Sequence, residues 1–215
     1  TTMLPSEASV EVGEELARRF GLPLWQLVLT ATDANRFALR LARMVTGRPK
    51  VLVHNWCYHG TVDETFATAD PSGAAGAAVT RPGNLGPQAN PSSTTRVVEI
   101  NDLATTEAAL ACGDVAAVLV EPALTNIGIV LPDEGYHAEL RALATRYGAL
   151  LVVDETHTIS VGAGGATTAW GLEPDLFVIG KAIAGGLPGA AYGMTHEVAR
   201  RIGEAIDVDL VDTGG

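Results

Sequence analysis

Lysine is nearly missing from this sequence. Only Lys50 and Lys181 occur in 215 residues, and Lys plus Arg total 14 against 25 Asp plus Glu. The formal net charge is −11 and the basic residues form no dense patch, which excludes a nucleic-acid-binding surface and points to a soluble protein. No run of about 18 apolar residues occurs, so no membrane-spanning helix is expected, and no signal peptide is recognisable. Cysteine is confined to Cys57 and Cys112, in neither a CxxC nor a metal-ligand spacing. No metal site is expected, and the pair fits a reducing, cytoplasmic compartment, although spacing alone leaves a disulfide open. No GxGxxG follows a strand-like run, and Gly180-Lys181 lacks the spacing and the Ser/Thr of a P-loop, which argues against a nucleotide-binding site of either kind. There is no internal repeat. What is present is 47% hydrophobic and 18% charged residues, enough for one large domain with a substantial core.

The stretch from Gly148 to Met194 organises the chain. Ala149 to Val153 and Leu176 to Ile179 are short apolar runs of the kind buried on both faces of a parallel sheet. The first ends in Asp154 and the second, after Gly180, in Lys181. Ligands of open α/β sheets bind outside the carboxyl ends of the strands, so an acid and an amine are both presented at the binding edge. Lys181 stands between Gly180 and Ala182-Ile183, with few charged neighbours in sequence. Such surroundings favour the neutral amine, the form that attacks a carbonyl carbon, whereas an ordinary strand-end lysine is simply solvated.

The segments VVDE and DLFVIGKAIAGGLPGAAYG resemble the core of the class III pyridoxal-phosphate aminotransferases, which have fold type I, and the glutamate-1-semialdehyde aminomutase-like branch most of all. The resemblance implies an α/β fold: a three-layer α/β/α large domain with a mostly parallel central sheet. It implies pyridoxal phosphate held as a Schiff base by Lys181, with Asp154 paired to the pyridine nitrogen. A carboxylate there keeps the ring protonated and able to accept electrons.

Further site residues follow from the same resemblance. Thr30-Ala31-Thr32-Asp33-Ala34-Asn35, a strand-to-helix turn opening a helix, takes the place of the family's phosphate-binding Ser-Gly-Ser/Thr-Glu-Ala-Asn, with Ala31 replacing glycine. Free amides at a helix N-terminus suit an anion, although the same residues also make an ordinary N-cap. Tyr58 inherits the aromatic ring stacked on the pyridine. His59, in the aromatic-His-Gly sequence, is as readily structural as functional. Glu121, at the end of the strand Val115 to Val120, inherits an electrostatic or hydrogen-bonding role. After Asp154-Glu155 the family has Val and then Gln or Met, whereas this chain has Thr156 and His157. His157 stands where a glutamine contacts the phenolic oxygen, and the change bears on substrate choice.

Elsewhere the pattern predicts helices over Ser6 to Phe20 and Ala34 to Val45, the latter with Ala34, Phe37, Ala38, Leu41 and Val45 on its apolar face. Strands are expected at Leu24 to Leu29, Val51 to His54, Arg96 to Ile100 and Ala190 to Met194. Thr68 to Thr95, rich in Gly, Pro, Ala, Ser and Asn, reads as a long loop. A short helix is expected over Thr105 to Cys112, with Asn101 or Asp102 near its start. Asp133 is expected to cap a helix running to Tyr147, and Thr195 one running to Ala205. Residues 1–215 are expected to form the cofactor-binding large domain. The chain starts at Thr1 and stops in VDTGG, and the family's N-terminal segment and C-terminal small domain are expected to be absent from it.

The resulting expectation is a transaminase moving an amino group between an amine or amino acid and a carbonyl acceptor, acting as a homodimer on small molecules. An aminomutase, decarboxylase or racemase on the same fold stays open, as does a non-catalytic transaminase-derived protein that binds the cofactor or a partner.

Overall fold

A computed structural model of the chain describes residues 6–86 and 90–207; VDTGG and residues 87–89 of the expected loop lie outside them. The chain enters through α1 (Glu7–Phe20), started by a capping box in which Ser6 and Ser9 bond reciprocally and stopped by left-handed Gly21. The elements that follow are β1 (Leu24–Val28), α2 (Ala31–Thr46), β2 (Lys50–His54), β3 (Ala67–Ala69), β4 (Ala78–Thr80), β5 (Thr95–Val98), α3 (Leu103–Leu110), β6 (Val115–Val120), α4 (Tyr136–Arg146), β7 (Leu150–Asp154), α5 (Gly165–Trp170), β8 (Leu176–Ile179), β9 (Ala190–Met194) and α6 (His196–Asp207).

Seven strands form the main sheet in the order β1-β9-β8-β7-β6-β2-β5. The five from β8 to β5 are parallel, while β9 runs antiparallel to both β8 and β1. Strand β6, Val-Ala-Ala-Val-Leu-Val, is buried at every position, as a central parallel strand covered on both faces must be. One face packs Val51, Val53, Leu119, Val152 and Val178 against Ala34, Ala38, Leu39 and Ala42 of α2 and Val198 of α6. The other packs Leu52, Val118, Leu151 and Phe177 against Leu16 and Phe20 of α1, Leu110 of α3 and Leu140 of α4. The three-layer α/β/α arrangement is therefore present.

The structure revises four sequence expectations. The stretch 68–95 is not all loop: β3 and β4 pair as an antiparallel hairpin, Ala67 opposite Thr80. Asp133 does not cap α4 with its side chain; the N-cap is Gly135, at φ 79°, and only the Asp133 carbonyl takes the Tyr136 N–H. The Gly/Ala-rich span contains α5, which the sequence pattern did not reveal. The buried face of α2 is also rotated by about one position. Ala34, Asn35, Ala38, Leu39 and Ala42 are buried, whereas Phe37, Leu41 and Val45 lie at its margin. The stripe of alanines lets α2 sit close on the sheet, which brings its first turn to the strand ends.

Candidate active site

The carboxyl ends of the parallel strands surround a cavity of about 320 Å³, at the small end of the roughly 300–1,000 Å³ typical of small-molecule sites. Thr30, Ala31, Thr32, Tyr58, His59, Glu121, Asp154, His157 and Lys181 all line it, together with Thr156 and Leu187. The nine residues singled out in the sequence thus converge on one cavity, because β6, β7 and β8 are neighbours and α2 begins at their edge.

Asp154 is the most tightly held of them. Its side chain is 3% exposed and takes four hydrogen bonds. Asn35 Nδ2 (2.8 Å) and His59 Nδ1 (2.9 Å) donate to Oδ2. The Thr156 N–H (3.0 Å) and hydroxyl (2.5 Å) donate to Oδ1. Burial by itself would raise the Asp154 pKa. The hydrogen bond and charge of His59, then Thr156 and Asn35, outweigh it and hold the carboxyl below its ordinary range. Because an ionised carboxylate only accepts, His59 Nδ1 carries the proton. Burial opposes a charged His59, but the Cys57 sulfur and the Asp154 carboxylate prevail and its pKa is raised. His59 Nε2 and Asn35 Oδ1 are buried with no hydrogen-bond partner among the described residues.

Lys181 is the opposite case. It follows extended Gly180, opens a short 3₁₀ turn over Lys181–Ala184, and has φ 49°, a left-handed value uncommon outside glycine. Its side chain is exposed and enters no ion pair among the described residues. The expectation that apolar neighbours desolvate the amine is not met, because the turn carries Lys181 past the end of β8 and out of the core.

At a third corner the first turn of α2 presents the Ala31 and Thr32 amides, which have no acceptor among the described residues. The Thr30 hydroxyl accepts from the Asp33 N–H (3.1 Å) and donates to Asp33 Oδ2 (2.8 Å). Ala31 does not obstruct this turn. Its methyl is directed at Gly180, where an added Cβ would lie 2.9 Å away. The loop after β2 brings Tyr58 to the cavity 42% exposed, with its N–H on Glu121 Oε1 (3.1 Å).

Three residues shape the site in ways the sequence did not show, although Asn35 closes the motif that begins at Thr30. Asn35 binds both Asp154 and the His59 carbonyl (3.1 Å). Arg81, just after β4, donates to the carbonyls of Cys57 (2.9 Å), Thr65 (3.0 Å) and Ala67 (3.2 Å), and so holds the segment carrying Tyr58 and His59. Glu155 turns away from the cavity, fully buried, and clamps the start of α5 through the Ala166 and Thr167 N–H groups and the Thr158 hydroxyl. Only the conjunction of an acidic pair with later glycines hinted at this last role.

A mostly parallel α/β sheet with an acid and a lysine on neighbouring strand ends, facing a helix N-terminus, defines a fold type I transferase scaffold. Residues 1–206 match the family model "Aminotransferase class-III", and the chain belongs to that family. A glutamate-1-semialdehyde 2,1-aminomutase of Desulfitobacterium hafniense is 42% identical over 193 residues, 88% of this chain and 44% of that protein. Among solved structures, a glutamate-1-semialdehyde-aminomutase from Pseudomonas aeruginosa PAO1 superposes with a TM-score of 0.90 at 55% identity, covering 96% of this chain and 45% of the other. A variant of that protein was solved in complex with PMP. An omega-transaminase from Sphaerobacter thermophilus gives a TM-score of 0.83 at 31% identity, covering 92% and 47%. The chain thus spans about half the length of the relatives it matches. No helix among the described residues is long and apolar enough to cross a membrane.

Proposed function

We propose that this chain is the cofactor-bearing large domain of a pyridoxal-phosphate-dependent aminotransferase or aminomutase, with the family's remaining segments outside it. The observation that carries the reading is an ionised, fully bonded Asp154 facing, across one cavity, an exposed Lys181 that has no ion-pair partner among the described residues. The donor set fits the cofactor: amides at the α2 N-terminus for a phosphate, a carboxylate for a ring nitrogen, an amine for an aldehyde, and Tyr58 for a ring face. Bound there, pyridoxal phosphate supplies a carbonyl for an amine and an electron sink for a developing carbanion.

The chain's own residues do the rest. Asp154 would keep a proton on the ring nitrogen, and Asn35 and His59, which donate to its carboxylate, fix its orientation. Thr30, Ala31 and Thr32 would hold the phosphate with the positive end of α2. Lys181 would hold the cofactor through its amine and, when that amine is free, would move a proton to and from the substrate carbon. Glu121 orders Tyr58 through its N–H. The substrates are a small amine or amino acid and a carbonyl acceptor, and the names of the relatives from Desulfitobacterium hafniense and Pseudomonas aeruginosa favour an aminomutase. We further propose a homodimer, supported by exposed Ile129, Leu131 and Leu187, and a cytoplasmic setting, supported by unpaired Cys57 and Cys112.

The test is a visible spectrum with added pyridoxal phosphate, before and after borohydride. The wild type should show a band that borohydride fixes to Lys181, and Lys181→Ala should not. A band of equal strength fixed in both proteins would remove Lys181 from this role.

A further inference from the structure

Glu121, Thr125 and His157 form a hydrogen-bonded chain at the cavity. Thr125 Oγ1 lies 2.9 Å from Glu121 Oε2 and 2.5 Å from His157 Nδ1. One hydroxyl proton must serve these two contacts. As a carboxylate Glu121 only accepts, and its other oxygen already takes the Tyr58 N–H. Were Thr125 to give its proton to His157, two oxygens without a proton between them would face each other at 2.9 Å, on a Glu121 that is only 4% exposed. Both contacts are satisfied when Thr125 donates to Glu121 and the His157 Nδ1–H donates to Thr125. The lone pair of the neutral imidazole is then on Nε2, for which no hydrogen bond occurs among the described residues. His157 is exposed at the cavity wall, so this nitrogen stays open to an entering ligand.

Building on the cofactor reading above, we propose that Glu121 and Thr125 hold His157 as the Nδ1–H tautomer, so that Nε2 receives a proton from an incoming amine substrate. Primary amines reach the site mostly as ammonium ions, which have no lone pair for attack. The two carboxylates of the cavity, Asp154 and Glu121, are already engaged by donors. In the step proposed, a substrate N–H bond breaks, a bond from Nε2 to that proton forms, and the electron pair stays on the substrate nitrogen as the nucleophile. The resulting imidazolium still donates to Thr125, with Glu121 behind it as the opposing charge. Lys181, Asp154, His59 and Tyr58 are the other charged and titratable groups lining the cavity. His157 is thereby a catalytic residue that touches substrate, and Thr125 a positioning residue that acts through it.

The experiment is two-bond ¹H–¹⁵N NMR on histidine-labelled full chain, with and without pyridoxal phosphate, the His157 signals being assigned by their loss in His157→Gln. The wild type should show protonated Nδ1 and bare Nε2, and Thr125→Val should convert His157 to the Nε2–H form that free imidazole prefers. An Nε2–H tautomer in the wild type, or one indifferent to Thr125→Val, would overturn the relay. Single-turnover kinetics with an amine donor supply the second readout. His157→Gln should be slower by about 100-fold near neutral pH, the low end for a positioned acid–base group, and should approach wild type as the amine deprotonates in solution. An equal loss at every pH would overturn the acceptor role. A protein with the Nδ1–H tautomer that never captures pyridoxal phosphate would sink the cofactor reading and support the relay, and the reverse pattern would do the opposite.

Discussion

Two strand ends three residues out of register face the same cavity and are built in opposite ways. Asp154 closes β7 with its side chain buried and every carboxylate lone pair engaged. Lys181 follows β8 on a left-handed turn, exposed and unpaired among the described residues. Under the proposed function the contrast matches two chemical demands. A group that sets the protonation of a ring must stay in one charge state and one orientation, which burial with matched donors secures. A nucleophile that is captured, displaced and reused must swing, which a solvated side chain on a short turn permits.

The comparison can be broken from either side. Lys181→Ala should reduce turnover to background while leaving Tm nearly unchanged, because an exposed side chain contributes little packing. Turnover assays and thermal melts read the two effects, and retained turnover would refute the assigned role. Asp154→Asn should keep the fold and lower turnover on the order of 100- to 1,000-fold, the scale for losing one preorganised electrostatic contact. Activity equal to wild type would take Asp154 out of the chemistry.

Removing a supporting donor should act more gently. Asn35→Ala takes one donor from Asp154 and leaves the His59 carbonyl without its partner, a cost of about 1–3 kcal/mol for buried groups. It also has a pH signature. A carboxyl held below its unfolded pKa contributes stability that is in place above that unfolded value and is lost as pH falls through the folded one. Weakening that hold should move acid unfolding to higher pH, measured by circular dichroism across an acid titration. An unshifted midpoint would show that His59 and Thr156 suffice.

The junction between Lys181 and the α2 turn offers a finer test. Gly180→Ala would set two methyl carbons 2.9 Å apart and should cost about 1–3 kcal/mol by overpacking. Ala31→Gly in the same chain should recover most of it, since the next contacts with Ala31 and Ala190 are at an ordinary 3.6 Å. Additive losses in the double variant would place the strain elsewhere. Thr156→Val removes a hydroxyl donor but keeps the backbone N–H on Asp154 Oδ1, and should cost about 1.5–3 kcal/mol, the scale of a hydrogen bond to a charged group, read by denaturant midpoint.

The strands and their terminal residues were legible because each is a local pattern, an apolar run stopped by one polar side chain. The role of Asn35 was not. Periodicity assigns an asparagine to the solvent face of a helix, and the partner that draws it inward, Asp154, is 119 positions away. Arg81 was hidden for a related reason. It lies in a Gly/Pro-rich stretch that reads as loop, and the carbonyls it binds carry no side-chain signature. The expected desolvation of Lys181 failed because neighbours in sequence were taken for neighbours in space.

From the sequence alone follow the α/β alternation, the family resemblance and the chemical inventory of the cavity. These are properties of runs of a few residues, where hydrophobic period and turn chemistry act locally. The tertiary structure decided that β7 and β8 are neighbours, that α2 starts at their edge, and that the acid is buried while the amine is free. Those are outcomes of hydrogen bonding and packing between segments far apart in the chain, which no window of sequence contains.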